Sequence, residues 1–199
     1  ICLFRKNYEP LRNFFMGIWS KGMLFIFNAS LIVKGSPPKP PFFLVSNHLS
    51  YFDIIVYYNL IQTTFVAKAD VRSWPVLGFL IKTMGVIFID RTKRRDVKRV
   101  NKLISSNINE YQGVVLFPEG TTSPGFKVMP FRPSLLQYPA SKDIPVHFSV
   151  IRYETKKPDP PACSSICWWG DSDFMEHFWN MAKLRSVRVS VIFGDKSIH

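Results

Sequence analysis

The sequence predicts an α/β fold with a mixed central sheet flanked by helices, with an N-terminal membrane-associated helical segment. Three observations carry this. Short apolar runs, such as Phe42-Phe43-Leu44-Val45 and Val114-Val115-Leu116-Phe117, read as buried strands and alternate with stretches of helical period. A chain of 199 residues, 47% of them hydrophobic, suffices for one domain with a sizeable core. The apolar N-terminal region is set apart by Ser36-Pro37-Pro38-Lys39-Pro40-Pro41, an extended linker that no helix crosses. The expected division is therefore residues 1–35, a membrane-interacting helical segment, and residues 36–199, the main domain.

Leu11 to Val33 is mostly apolar, interrupted by Arg12 and Lys21. The charge-free part, Gly22 to Val33, is too short to cross a bilayer as a straight helix. Gly17 and Gly22 mark a bend. A spanning helix, a signal peptide and an interfacial helical hairpin all fit such a stretch, but no cleavage site is clear. Helices embedded in one leaflet, with Arg12, Lys21 and Lys34 at headgroup level, fit best. In the main domain, strands are expected at 42–46, 65–67, 86–90, 114–117, 144–151 and 187–193. Helices are expected at 51–60, 75–84, 96–111, 134–141 and 172–184. In the third of these, Val97, Val100, Ile104, Ile108 and Tyr111 form the buried stripe.

Charge narrows the partners. The net charge is +12 and the pI near 9.8, which calls for an anionic partner, nucleic acid or anionic lipid. Phe14, Phe15, Trp19, Phe25 and Phe27 crowd the N-terminal region, a placement that suits a membrane interface better than a base-stacking sheet. No zinc-finger spacing, repeat or RNA-recognition motif is present, so no nucleic-acid partner is expected. Cys163-x3-Cys167 lacks a second ligand pair, so no metal is expected and the thiols read as reduced. The densest positive region is Arg91 to Lys102, which fits a solvated face and a phosphate site equally. Trp168 and Trp169 fit a core and a membrane-facing surface equally.

The chemistry concentrates in Ser46-Asn47-His48-Leu49-Ser50-Tyr51-Phe52-Asp53. Ser50 and Asp53 have capping-box spacing, which starts a helix near Tyr51 and leaves His48 at a strand-to-helix turn. A carboxylate bonded to one imidazole nitrogen fixes the tautomer and frees the other nitrogen to take a proton. An isolated His-x4-Asp equally fits a structural histidine with a helix-capping aspartate. The second segment, Phe117-Pro118-Glu119-Gly120-Thr121-Thr122-Ser123, follows a strand with hydroxyl residues beside glycine. That composition cradles an anion, and it also makes an ordinary polar turn.

Four blocks in this order resemble the glycerolipid acyltransferases of the lysophosphatidate acyltransferase type. Asn47-His48 with Asp53 resembles the catalytic block. Lys68, Pro75, Gly78, Gly85 and Arg91 match the second block, Phe117 to Thr121 with Ser123 the third, and Ile144-Pro145-Val146 the fourth. The resemblance covers roughly Pro41 to Ile151. It implies an O-acyltransferase in which His48 is the base and Asp53 orients it. The acyl donor would be a thioester, acyl-CoA or acyl-carrier protein, with no cofactor. The acceptor would be a lysophospholipid, foremost 1-acyl-glycerol-3-phosphate, giving phosphatidate.

Lys68, Arg91, Glu119, Gly120, Thr121, Thr122 and Ser123 would bind the acceptor's polar end, Lys68 and Arg91 supplying charge. Glu119 would bond the acceptor's hydroxyl, hold Arg91, or close the loop. Pro145 would shape the wall of the site. The family usually has arginine where this chain has Thr122, and lyso-ornithine lipid acyltransferases resemble the chain there, so lyso-ornithine lipid is the alternative acceptor. The expected location is the cytoplasmic face of the inner membrane, among membrane phospholipids. His147 reads as a strand side chain and His177 as a helix-surface residue. A lipid or thioester hydrolase with the same His-Asp pair, and a non-enzymatic basic membrane adaptor, remain as other classes. No Gly-x-Ser-x-Gly elbow is present to support the hydrolase.

Overall fold

A computed structural model describes residues 8–69, 84–89, 94–142 and 144–198. Its elements are α1 (Tyr8–Ile26), β1 (Ala29–Lys34), β2 (Phe43–Ser46), α2 (Phe52–Leu60), β3 (Thr63–Lys68), β4 (Ile87–Ile89) and α3 (Arg94–Asn107). They continue with β5 (Gly113–Leu116), α4 (Gln137–Lys142), β6 (Val146–Thr155), α5 (Ala162–Ser165), α6 (Phe174–Ala182) and β7 (Val187–Phe193). The strands form one seven-stranded sheet in the order β1-β7-β6-β2-β5-β3-β4. β6 and β7 run antiparallel and the other pairs parallel, so the sheet is mixed as expected.

Alternation along the central strands builds two cores. Leu44, Phe65 and Val115 face α1, α2 and α6, with Leu24, Phe27, Phe52, Ile55 and Met181 packed over them. Phe43, Val45, Val114 and Leu116 face the opposite way, against Val100 and Ile104 of α3 and Tyr138 of α4. All four residues of β2 and of β5 are buried, as parallel strands covered on both faces require.

Several boundaries differ from expectation for local reasons. β3 begins at Thr63 because its threonine hydroxyls find buried acceptors, Thr63 on Gly113 O at 3.2 Å and Thr64 on Gly85 O at 2.9 Å. α3 ends at Asn107, whose Nδ2 donates to Leu103 O at 2.8 Å, rather than at 111. The segment expected to be helical over 134–141 divides into a 3-10 turn, Pro133–Leu135, and α4. β6 runs on to Thr155 because β7 pairs with it to that residue. The helix expected at 75–84 lies outside the described residues, Met84 excepted.

The N-terminal region is corrected most. The helical hairpin expected through residue 35 is one helix, continuous through Gly17 and Gly22, followed by a strand. β1 pairs with β7 along its whole length, so residues 29–34 belong to the sheet. Arg12, expected at headgroup level, is buried instead. Its guanidinium donates to Asn13 Oδ1 and to Gln112 Oε1, polar acceptors that make its burial tolerable. No helix among the described residues is long and apolar enough to cross a membrane.

Candidate active site

β2 and β5 end side by side. Val45 is level with Leu116, so the turn after β2 and the loop after β5 leave the same edge of the sheet. α2 packs on one face and α3 on the other. Such a parting of connections opens a crevice at the carboxyl ends of parallel strands.

His48 is fixed there through its own backbone. Asn47 is buried; its Nδ2 donates to Ile151 O at 3.0 Å and its Oδ1 accepts from Ile151 N at 2.8 Å. This pair of bonds ties the turn to β6. Glu119 is buried too, and its carboxylate accepts from His48 N at 3.0 Å and from Met129 N at 3.1 Å. Ser123 N donates to His48 O at 3.1 Å. The loop after β5 thus grips both sides of the His48 peptide.

The imidazole is oriented by a buried carboxylate. His48 Nδ1 lies 2.7 Å from Asp53 Oδ2, and the same oxygen accepts from Leu49 N at 2.8 Å and Ser50 N at 3.2 Å. The bond from Ser50 N is half of the capping box that the spacing implied. The other oxygen, Oδ1, accepts from the Tyr153 hydroxyl at 2.5 Å. Asp53 is fully buried, yet four donors satisfy it. An ionised carboxylate only accepts, so His48 Nδ1 carries the proton and Nε2 keeps a free lone pair. The ring stacks on Phe117, with centroids 4.0 Å apart and planes 8° apart. Its side chain remains 19% exposed. Held on one face, with Nδ1 bonded, the imidazole is set to take a proton at Nε2.

Burial tunes the neighbours. Tyr153 is pushed well above the usual tyrosine range, by burial first and then by the Asp53 charge, so its hydroxyl stays a donor. The Cys167 thiol is pushed up to about 12, by burial and then by Asp53, and is no nucleophile near neutral pH. Burial raises Glu119, while its bonds from the His48 and Met129 amides pull it back. Among the described residues no group of three or more His, Cys, Asp or Glu side chains is arranged to hold a metal ion.

The other expected site residues divide. Gly120 turns the loop at φ 74°, a left-handed conformation that favours glycine. Thr121 is exposed and Thr122 half-buried beside it, while Ser123 is buried with no hydrogen-bond partner for its hydroxyl. Lys68 ends β3, and the pairing of Phe65 with Val115 brings its backbone to the same edge of the sheet. Arg91 lies outside the described residues, as do Pro75 and Gly78. Arg99, from the basic run, donates to Phe88 O at 2.7 Å. Glu119 takes the loop-closing role, since both its oxygens accept main-chain amides. Pro145 sits at the wrong end of the sheet to line the site. Val146 pairs with Phe43, the first residue of β2, whereas His48 follows the last.

His177 is buried, not on a helix surface, with Nδ1 3.1 Å from the Tyr51 hydroxyl, and burial lowers its pKa. Trp168 packs edge-on against Tyr51 at 5.9 Å, whereas Trp169 is exposed. Tyr153 is the donor to Asp53 that the sequence concealed. It falls beyond the expected end of its strand at residue 151, and only the pairing of β6 with β7 carries the strand far enough to reach Asp53.

A model of the Acyltransferase family matches residues 31–151. The chain belongs to the acyltransferase family. This acyltransferase is 29% identical over 175 residues to the 1-acyl-sn-glycerol-3-phosphate acyltransferase of Neisseria gonorrhoeae, covering 87% of the chain and 68% of that protein. It is 30% identical over 185 residues to the lyso-ornithine lipid O-acyltransferase of Pseudomonas aeruginosa, covering 93% of the chain and 69% of that protein. Its fold is shared with the crystal structure of the 1-acyl-sn-glycerophosphate acyltransferase PlsC from Thermotoga maritima. That match has a TM-score of 0.70 at 19% identity and covers 98% of the chain and 71% of the other. The acyltransferase is an O-acyltransferase, and the family match over residues 31–151 spans the four sequence blocks that resembled the lysophosphatidate acyltransferase type.

Proposed function

We propose that this acyltransferase moves a fatty acyl group from acyl-CoA or acyl-carrier protein to the hydroxyl of a lysolipid at a membrane surface. The observation that carries this is the free Nε2 of His48, with Nδ1 bound to Asp53 Oδ2 at 2.7 Å. Nε2 takes the proton of the acceptor hydroxyl as its oxygen attacks the thioester carbon. Asp53 stabilises the imidazolium that forms. Collapse of the tetrahedral intermediate breaks the C–S bond, and the proton on Nε2 passes to the departing sulfur. An ester and a free thiol result, and no covalent enzyme intermediate is needed. The raised thiol of Cys167 agrees with direct transfer.

The acceptor is foremost 1-acyl-glycerol-3-phosphate, with the loop Gly120 to Ser123 and Lys68 and Arg91 at its polar end. Glu119 acts by holding the loop. One observation favours lyso-ornithine lipid as a second reading: Thr122 stands half-buried where the family usually places a guanidinium. No cofactor enters this chemistry.

The membrane element in this reading is α1, and the rest of the chain, β1 included, is the catalytic domain. α1 is apolar on both sides. Its inner side packs Leu24 and half-buried Met16, Trp19 and Met23 into the core. Leu11, Phe14, Phe15, Ile18 and Phe25 point outward, each more than half exposed. A helix with such an outer stripe lies in one leaflet's interface, and the expected site is the cytoplasmic face of the inner membrane. Acceptor-dependent release of CoA thiol, read across a panel of lysolipids for wild type and His48→Ala, tests the proposal. Release without any acceptor marks a hydrolase, and activity that survives His48→Ala removes the mechanism.

A further inference from the structure

Beyond Ser123 the chain makes a loop, residues 124–132, that the catalytic reading leaves unused. Its base is tightly held. Gly125 adopts φ 83°, and a Cβ there would lie 3.2 Å from Leu49 Cδ2, so the loop packs directly on the His48 turn. Met129 N donates to Glu119 Oε2 at 3.1 Å and Arg132 N to Pro118 O at 2.9 Å. Its tip does the opposite. Phe126 is 80% exposed, Val128 52% and Phe131 43%. Main-chain bonds hold the loop, so these side chains are not needed to close it. Leaving them in water forgoes the gain from burying large apolar groups.

Charge indicates what covers them. Lys127 and Arg132 alternate with the apolar side chains and are exposed, and no Asp or Glu occurs between Gly120 and Lys142. Apolar tips interleaved with cations match the boundary between acyl chains and anionic headgroups. We propose that loop 124–132 is a membrane-inserting element separate from α1, which seats the mouth of the His48 site on an anionic bilayer. This rests on the acyl-transfer reading for its purpose. One Glu119 carboxylate holds both the loop, at Met129, and the catalytic turn, at His48. Insertion of the loop therefore sets the height of the imidazole relative to the bilayer. A lysolipid then presents its hydroxyl to Nε2 without leaving its leaflet.

The test uses the full chain with α1 intact. Wild type is compared with a Phe126→Ser/Val128→Ser/Phe131→Ser variant and with Lys127→Gln/Arg132→Gln. Co-sedimentation is measured with phosphatidylcholine vesicles, with and without phosphatidylglycerol. Transfer is measured to lysophosphatidate and to lyso-ornithine lipid, each as a vesicle-borne long-chain form and a dissolved short-chain form. The apolar variant is expected to bind vesicles at least about tenfold more weakly, and the Lys/Arg variant to lose its preference for phosphatidylglycerol. Both are expected to keep turnover of the dissolved acceptor that wild type uses.

Vesicle binding within about twofold of wild type for the apolar variant would overturn the proposal. So would a defect confined to transfer from acyl-carrier protein, which would make the loop a docking site for a protein donor. Should wild type transfer to no acceptor while the binding difference persists, the acyl-transfer reading fails and the inserting loop stands. Should the triple variant fail to fold, Phe126→Trp with brominated lipid gives a second reading. Quenchable emission beyond that of wild type supports insertion, and its absence overturns it.

Discussion

Tyr153→Phe isolates the part of the site that orients the base without touching substrate. The hydroxyl donates to Asp53 Oδ1 at 2.5 Å, and both residues are buried. Phenylalanine keeps the ring, so the change removes one donor from a buried carboxylate and little else. Leaving that acceptor unpaired costs about 1–3 kcal/mol of stability. Deprived of this donor, Asp53 Oδ1 has no hydrogen-bond partner, and the carboxylate is held less firmly in its aim at His48 Nδ1. The carboxylate, still held by the Leu49 and Ser50 amides, keeps part of its orientation. A loss of about tenfold in kcat, or roughly 1.4 kcal/mol of barrier, is expected with acceptor KM unchanged. The assay is steady-state transfer, with kcat and acceptor KM determined separately, beside thermal unfolding. If stability falls while kcat stays at the wild-type value, Tyr153 is only a packing residue and the reasoning fails.

Four further outcomes are expected. His48→Ala loses about 10²- to 10⁴-fold in transfer while the protein stays folded, because Asp53 Oδ2 keeps the Leu49 and Ser50 amides; near-normal turnover removes the base. In Glu119→Gln the amide's NH2 must face one of two main-chain donors, costing about 1–3 kcal/mol by thermal or urea unfolding. Burial raises the folded-state pKa of Glu119, so its protonated form favours the fold. Wild type's advantage over Glu119→Gln is therefore largest below the ordinary Glu pKa and shrinks as pH rises through the raised one; an advantage growing with pH contradicts this. Replacing Leu11, Phe14 and Ile18 by serine weakens vesicle binding with Tm nearly unchanged, and high salt alone does not release the wild type; clean release by salt means that charge dominates. Thr122→Arg lowers the KM for lysophosphatidate by about 10- to 150-fold while leaving lyso-ornithine lipid without gain, and equal shifts for both place the head group elsewhere.

The contact between His48 and Asp53 was legible because it is local. His48 and Asp53 are five residues apart, and capping-box spacing alone puts the carboxylate at the start of α2, next to the strand turn. The loop from Phe117 to Ser123 was legible for the same reason, as residues that follow an apolar strand and break it. What could not be read was whatever depends on pairing between distant strands. Tyr153 reaches Asp53 across 100 residues of sequence, and Asn47 reaches Ile151 across 104. Neither contact leaves a periodic signal. Pro145 shows the converse. Its place in a block implied a place in the site, but the parallel register of β6 against β2 sets it at the far end of the strands.

The N-terminal region failed for a different reason, and the failure bears on how membrane binding is dissected. Hydropathy counts apolar residues without regard to what lies beside them. In α1 the inner face is apolar because it packs into the core, and the exposed outer face is apolar as well; summed, the two resemble a segment immersed in lipid. Arg12 then looks like a headgroup anchor, though it is buried against Gln112. Ala29 to Lys34 looks like the return arm of a hairpin, though it pairs with β7 at every residue. Removing residues 1–34 to release the protein from membranes would also strip Leu24 and Phe27 from the core and bare an edge of β7. Such a truncation would fail through misfolding whether or not α1 meets lipid, and exposed β7 would itself invite aggregation. Only substitutions confined to the outer stripe separate the proposed lipid contact of the helix from its packing in the core. The loop after Ser123, whose tips likewise face outward from a firmly held base, is open to the same kind of dissection.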